Sequence, residues 1–364
     1  MTYFRKNIEE MQGYTPGEQP KTTHASSLQP IKLNTNENPY PPSPEVEKTL
    51  KSIDYEKLRL YPNPTADKVR NTIADIYGVK CDNIVVGNGS DDILTVAIRS
   101  FVGENQSIAC FEPTYSLYPV LAKIQNATTL KIELDENLGF AFPMELTDNT
   151  SDLFKSLNKV KLFFITRPNA PTGTVFDITS IDKFCAIFKG IVFIDEAYAD
   201  FSEDNCLELQ KKYSNVIIGR TLSKSYCLAG IRLGWAIADK QVINGMMKVK
   251  DSYNINYITQ ELSVAALLDQ NHLNKTVSRI KQSKERLVNN LINLNFSVIP
   301  SESNFIFASP PDKKGSQLFE FLRERNIIVR YFPGKITSKY IRITIGKDKN
   351  IDKLIECCKN YIKF

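Results

Sequence analysis

The feature that most constrains this chain is a series of short, almost uninterrupted apolar runs separated by stretches of helical periodicity. The runs are NIVVGN (83–88), SIACFEP (107–113), TTLKIEL (128–134), KLFFITRP (161–168), GIVFIDEAY (190–198), VIIGRTLS (216–223) and GWAIAD (234–239). Between them lie segments such as SDDILTVAIRSF, which sets Ile93, Leu94, Ala97, Ile98 and Phe101 on one helical face. Strands apolar on both faces and joined through helices describe an α/β fold, a mostly parallel seven-stranded sheet flanked by helices.

After about residue 255 the texture changes. A long helical stretch from TQELSVAALLDQ to KERLVNNLINL leads into SVIPSESNFIFAS, NIIVRYF and YIRITIG. The last helix, NIDKLIECCKNYIKF, carries Ile351, Leu354, Ile355, Cys358 and Ile362 on one stripe. The expected division is an extended N-terminal arm over 1–40, rich in Pro, Thr and Asn, a large domain over 41–255 and a smaller C-terminal α/β domain over 256–364. A length of 364 residues suits more than one core.

Composition narrows the function. The excess of +5 comes from 46 basic against 41 acidic residues spread along the chain, without the basic block of a nucleic-acid platform. No apolar run approaches the ~20 residues of a membrane span, and MTYFRKNIEEMQGY has no apolar core of a secretory signal. Seven cysteines without a C-x-x-C pair, and only His24 and His272 as histidines, leave no zinc pattern. The expectation is a reduced, cytoplasmic protein with no metal, membrane or nucleic-acid partner.

Ligands of open α/β sheets gather at the carboxyl ends of strands, and four such ends carry unusual residues. Gly87-Asn88-Gly89-Ser90 closes one strand and opens a helix, where free N–H groups suit a phosphate; alternatively Ser90 caps the helix, with Asp91 and Asp92 favouring its dipole. Asp195 and Glu196 end a buried strand, where a carboxylate needs a partner or serves as a cap. A turn of Pro168, Pro171 and Gly173 presents Asn169 and Thr172. Finally Lys224 stands between two apolar runs, with Thr221, Ser223 and Arg232 around the same loop. That group fits an amine catalyst or a plain phosphate site.

One cofactor joins these pieces. Pyridoxal 5′-phosphate needs a lysine for its aldehyde, a carboxylate for its pyridine nitrogen, and helix N–H groups with Arg and Ser for its phosphate. Lys224, Asp195, and Gly89-Ser90-Asp91 with Ser223 and Arg232 offer all three.

The motifs LNTNENPYPPSP, YPNP, GNGSDD, EPTYSLY, PNAPTG, DEAYADF, TLSKSYCLAGIRLG and YIRITIG resemble, in order, those of histidinol-phosphate aminotransferases, from about Tyr14 to Ile345. The resemblance implies a homodimeric pyridoxal-phosphate enzyme of the aspartate-aminotransferase fold (fold type I), acting on L-glutamate/2-oxoglutarate and histidinol phosphate. It makes Lys224 the Schiff-base lysine and proton shuttle, Asp195 the pyridinium partner and Tyr198 the donor to the ring oxygen. Tyr115 would stack on the ring, and Tyr61 would reach the neighbouring subunit's site. Tyr14, Arg330 and Arg342 would meet substrate, Arg342 taking glutamate's α-carboxylate and the other substrate's phosphate in turn. One position departs: the Asn usual before Pro-Thr-Gly is Ala170 here, so either Asn169 swings into its role, which is the expectation, or Tyr198 bears the ring oxygen alone. Aromatic-amino-acid aminotransferases and threonine-phosphate decarboxylases share the fold and cofactor. A ligand-sensing regulator would need a DNA-binding segment, for which the arm is too short. A phosphate-loop ATPase would need G-K-[ST], which is missing at these turns.

Overall fold

The computed structural model describes residues 3–20 and 30–363; His24 and the rest of the arm at 21–29 lie outside the described residues. All seven apolar runs become strands of one sheet. Its spatial order is Ile84–Gly87, Gly234–Ala238, Val216–Thr221, Ile191–Asp195, Val160–Thr166, Ser107–Glu112 and Thr128–Glu133. Every neighbouring pair is parallel except those made by Gly234–Ala238, which runs against both of its neighbours. That reversal has a local cause. Parallel strands are usually joined by a crossover helix, whereas between Thr221 and Gly234 the chain forms only the Lys224 loop and the short turn Ala229–Ile231, and Thr221 pairs with Gly234.

Alternation along the strands sorts the core into two layers. Val85, Ile108, Cys110, Leu162, Phe164, Phe193 and Ile217 face the helix Ser90–Phe101. Ala109, Phe111, Phe163, Ile165, Val192, Ile194 and Ile218 face the helix Ile178–Ile187 and its Phe184. In the first of these helices Ile93, Leu94, Ala97 and Ile98 are buried as the periodicity requires.

A second, four-stranded antiparallel sheet has the order Arg330–Tyr331, Ile341–Thr344, Phe305–Ser309 and Ser297–Ile299. The arm's strand Ile31–Lys32 pairs in parallel with Ile327–Ile328. The single long helix expected after residue 255 is instead two, Tyr257–Leu268 and Gln270–Asn293. Asp269 makes the break: its carboxylate accepts from the His272 N–H at 3.1 Å and from the Ser43 hydroxyl. A side chain that caps the next helix competes with continuing the previous one. The terminal helix Asp348–Tyr361 buries Ile351, Leu354, Ile355, Cys357 and Cys358, while Ile362 falls beyond its end and stays exposed.

Loss of the cap is measurable. Asp269→Ala should lower stability in urea unfolding by about 0.5–2 kcal/mol, the usual cost of losing such a residue. Hydrogen bonds from Ser43 and His272 hold the Asp269 carboxyl below its ordinary range. Its contribution is therefore present above the unfolded carboxyl's titration and lost as pH falls through the folded one, so parent and variant should converge in acid.

Candidate active site

A cavity of about 410 Å³ opens where the carboxyl ends of the strands meet the second sheet and the arm. Strand ends supply Asp195 and Thr166 to its wall, the return loop supplies Ser223, Lys224 and Arg232, and the helix start supplies Ser90 and Asp91. Tyr115, Tyr198, Tyr14, Arg330 and Arg342 line the remainder. Residues separated by more than a hundred positions thus share one hollow.

Lys224 faces it. Its ammonium lies 3.4 Å from the Thr35 carbonyl oxygen and 5.7 Å from the centre of the Tyr198 ring. The backbone carbonyls of Lys224 and Ser225 accept from Asn38 Nδ2 at 3.1 and 3.2 Å, which fixes the loop.

Asp195 is 4% exposed. Its oxygens accept from the Tyr118 hydroxyl at 2.7 Å and the Ala197 N–H at 3.1 Å. Burial pushes this carboxyl up to about 6, against the pull of both donors and of the Lys224 charge. A buried carboxylate without a direct cation is costly, so the site is built for a positive group that arrives with a ligand.

The opposite electrostatic demand stands at the helix Ser90–Phe101. Gly89 is its N-cap, and no side chain caps it. The reading of Ser90 as a cap is therefore corrected: Ser90 is the first helical residue, and the first-turn N–H groups are left for an anion. Arg232, with left-handed φ of 56°, reaches back over this point. Its guanidinium donates to Ser223 Oγ at 3.3 Å and stands 3.6 Å from Asp91. Gly89 has a φ of 86°, which strains any residue with a side chain, and a Cβ there would also push the Arg232 guanidinium from its place. A Cβ on Gly234 would come within 2.5 Å of the Ser90 nitrogen.

Tyr115 donates to Asp91 at 3.1 Å and meets Tyr14 edge-on at 5.9 Å. Arg342 donates to the Asn34 carbonyl at 2.9 Å, but its buried Nε has no hydrogen-bond partner among the described residues, and burial lowers its proton affinity. Arg330 is already engaged, donating to the carbonyls of Thr15 and Pro16 at 3.1 and 3.2 Å. Tyr61 is 82% exposed, stacked on Tyr253 and away from this chain's cavity.

Asn169 requires a correction. It is fully buried and does not line the cavity; Ala170 does. Its amide is spent on the Pro113 carbonyl at 3.1 Å and Thr172 Oγ1 at 2.9 Å, inside the turn it was expected to leave. Sequence reasoning also missed Tyr118, three residues beyond Tyr115, and Asn36, whose amide donates to the Tyr198 hydroxyl at 2.9 Å. Both sit within motifs already noted, yet neither spacing nor polarity distinguishes them from their neighbours.

Residues 29–357 match the model of the aminotransferase class I and II family. The histidinol-phosphate aminotransferase of Microcystis aeruginosa is 42% identical over 351 residues, covering 96% of each chain. That of Syntrophotalea carbinolica is 40% identical, covering 98% of each. The chain belongs to the histidinol-phosphate aminotransferase family. Among solved structures, the histidinol-phosphate aminotransferase from Sinorhizobium meliloti, in complex with pyridoxal-5′-phosphate, superposes with a TM-score of 0.88 at 20% identity over 99% of each chain. A Thermus thermophilus aspartate aminotransferase with maleate reaches 0.80 at 15% identity, over 98% of this chain and 99% of that one. These likenesses establish the fold as that of the aspartate aminotransferases.

For this member of the histidinol-phosphate aminotransferase family, the unpaired Asp195 charge predicts a stability signature. The folded carboxyl titrates near 6 against an ordinary 3.8, so the native state holds the extra proton between those values. The stability of the unliganded protein therefore falls as pH rises through that window, and the whole penalty stands above it. Asp195→Asn should stabilise the unliganded protein by about 1–3 kcal/mol at pH 8 and by nearly nothing at pH 3.5, read by urea unfolding. Equal stability at pH 8 would refute the unpaired charge.

Proposed function

We propose that this chain is a histidinol-phosphate transaminase of histidine biosynthesis, interconverting L-histidinol phosphate and 2-oxoglutarate with imidazole-acetol phosphate and L-glutamate, with pyridoxal 5′-phosphate as cofactor. The observation that carries the reading is the pairing, in one cavity, of a buried carboxylate lacking a direct cation with a helix start whose N–H groups no side chain caps. Lys224 lies on the same wall. Those are the three demands of this cofactor's ring nitrogen, phosphate and aldehyde, and about 410 Å³ is within the range of small-molecule sites.

In this reading Asp195 would hold a proton at the pyridine nitrogen, and Tyr118 and the Ala197 N–H would keep its carboxylate oriented. The N–H groups of Ser90 and Asp91, with Ser223 and Arg232, would hold the phosphate. Tyr198 would donate to the ring oxygen, and Tyr115 would cover a ring face. When bound, pyridoxal phosphate supplies the aldehyde that takes up the substrate nitrogen and a ring that accepts the electron pair left on the substrate carbon. Lys224 Nζ, freed from the Thr35 carbonyl, would take the proton from that carbon and deliver it to the former aldehyde carbon, on the far side of the nitrogen. With glutamate and histidinol phosphate sharing the pocket in turn, the reaction is ping-pong. Arg342 would read the carboxylate of one and the phosphate of the other, as its unpartnered Nε suggests.

We read the protein as a cytoplasmic homodimer. Seven free thiols suit a reducing compartment. No helix among the described residues is long and apolar enough to cross a membrane. Tyr55, Leu58, Leu60 and Tyr61 form an exposed apolar stretch fit for a second copy, through which Tyr61 would reach the neighbouring site. The arm (1–40), large domain (41–255) and small domain (256–364) remain our division, supported by the separate seven- and four-stranded sheets.

The direct test is reduction. Purified protein incubated with pyridoxal phosphate should gain a visible band that borohydride bleaches, with the label on the Lys224 peptide. Lys224→Ala should lose the band and essentially all turnover, and near-parental turnover in that variant would defeat the reading. Arg342→Gln should raise KM for glutamate and for histidinol phosphate alike, by roughly 10–100-fold, the worth of a charge-assisted contact. A rise for one substrate alone would show that the two anions have separate readers.

A further inference from the structure

Asn36 is 1% exposed and every polar atom it owns is engaged. Its backbone N–H donates to Thr344 Oγ1 at 3.0 Å, and its carbonyl accepts from Asn304 Nδ2 at 2.9 Å. Its side-chain Oδ1 lies 3.0 Å from Thr344 Oγ1, and its Nδ2 lies 2.9 Å from the Tyr198 hydroxyl. The residue sits in the left-handed region (φ 57°), where asparagine is tolerated better than most residues.

This network has only one consistent set of hydrogens. A threonine hydroxyl has a single hydrogen. Thr344 Oγ1 already accepts from the Asn36 N–H, so its own hydrogen is free for Asn36 Oδ1. The carboxamide oxygen must therefore face Thr344, and the NH₂ must face Tyr198. Turning the amide over would present a second donor to Thr344 and leave a buried hydroxyl hydrogen unsatisfied. The Tyr198 oxygen consequently acts as an acceptor on that side. Its own hydrogen has no acceptor among the described residues, and Tyr198 lines the cavity.

We propose that Asn36 is a positioning residue that turns the Tyr198 hydroxyl hydrogen into the cavity, where it meets the ring oxygen of the cofactor, and that Thr344 sets the direction of the Asn36 amide. The inference rests on the pyridoxal-phosphate reading above. It assigns to the arm side of the cavity a part in tuning the ring oxygen, which no side chain of the Pro168–Gly173 turn supplies, because Ala170 has no polar side chain and the Asn169 amide is spent on Pro113 and Thr172. Accepting from Asn36 also polarises the Tyr198 O–H bond, so the two hydrogen bonds strengthen each other.

The readout is the pH midpoint of the visible absorbance of the pyridoxal-phosphate-loaded protein. That midpoint reports the proton shared between the Lys224 nitrogen and the ring oxygen. A donor at the ring oxygen stabilises its negative charge and weakens its hold on that proton, so weakening the donor moves the midpoint up. Two uncharged substitutions test this without adding a charge of their own. Asn36→Gly removes the donor at a backbone position glycine accepts, and should raise the midpoint by about half to one unit, the scale of one hydrogen bond. Thr344→Val leaves Asn36 in place, removes the hydroxyl that orients its amide, and lies outside the cavity wall. It should shift the midpoint the same way by a smaller amount. Midpoints unchanged in either variant, measured on protein with parental melting behaviour, overturn the proposal. Should Asn36→Gly fail to fold, Thr344→Val alone decides. A parent protein that acquires no visible band at all would instead defeat the cofactor reading, so the two failures are distinguishable.

Discussion

Beneath the cavity, one buried ion cluster holds the sheet's chemical edge together. Arg220, at the penultimate position of its strand, donates to Glu196 at 2.6 and 3.0 Å and to Asp200 at 2.9 Å, with the Tyr77 ring beside its guanidinium. Asp200 also accepts from the Ser225 hydroxyl, next to Lys224. Glu196 follows Asp195 directly. The cluster therefore ties the strand that presents the acid to the strand and loop that present the amine. Such a pair adds little stability over an apolar substitute, but losing one partner strands a charge and costs several kcal/mol. Its value lies in geometry. Asp195 and Lys224 cannot drift apart without breaking a fully desolvated arginine from two carboxylates.

The cavity above that cluster is polarised. Asp195 is engaged by neutral donors and has no direct cation. The helix start at Gly89 has no side-chain cap, Arg232 is paired only at 3.6 Å with Asp91, and Arg342 makes no ion pair among the described residues. A ligand with a cationic ring nitrogen and two separated anionic groups satisfies every demand at once. In the proposed reading binding and chemistry coincide here: the groups that are uncomfortable in the unliganded chain are those assigned to the reaction.

The inner strands were legible in the sequence because burial on both faces writes them as nearly unbroken apolar runs, whereas the edge strand Thr128–Glu133 buries only Ile132 and shows a weaker pattern. Lys224, Asp195 and Arg232 were legible because charge at the end of a buried run is expensive and so calls for a reason. Tertiary partners were not. Asp269 reads as one more polar residue within a helical pattern until Ser43 is seen against it. Asn169 looked like a group on display, yet the turn Asn169–Thr174 folds its amide inward, where Pro113 needs a donor. Tyr118 and Asn36 act through hydrogen bonds to residues 77 and 162 positions away, a separation that no local pattern encodes.

The same logic separates the two arginines of the small sheet, which sit opposite each other in the pairing of Arg330 with Arg342. Alternation alone treats them alike. Arg330, however, is held by two backbone carbonyls of the arm, and Asn34 Nδ2 adds a third stitch to the Glu18 carbonyl at 2.8 Å. Gly17 lies so close to the Thr35 methyl that a Cβ there would come within 2.5 Å. The arm is thus fastened by main-chain contacts at the mouth of the cavity, and Arg330 serves as part of that wall. Arg342, deeper and with one nitrogen unpartnered, is left free to answer an incoming anion. An anion that also drew on Arg330 would meet a guanidinium that already holds the Thr15 and Pro16 carbonyls. In the proposed reading the incoming anion meets Arg342, and any second contact, to Arg330, is coupled to the arm.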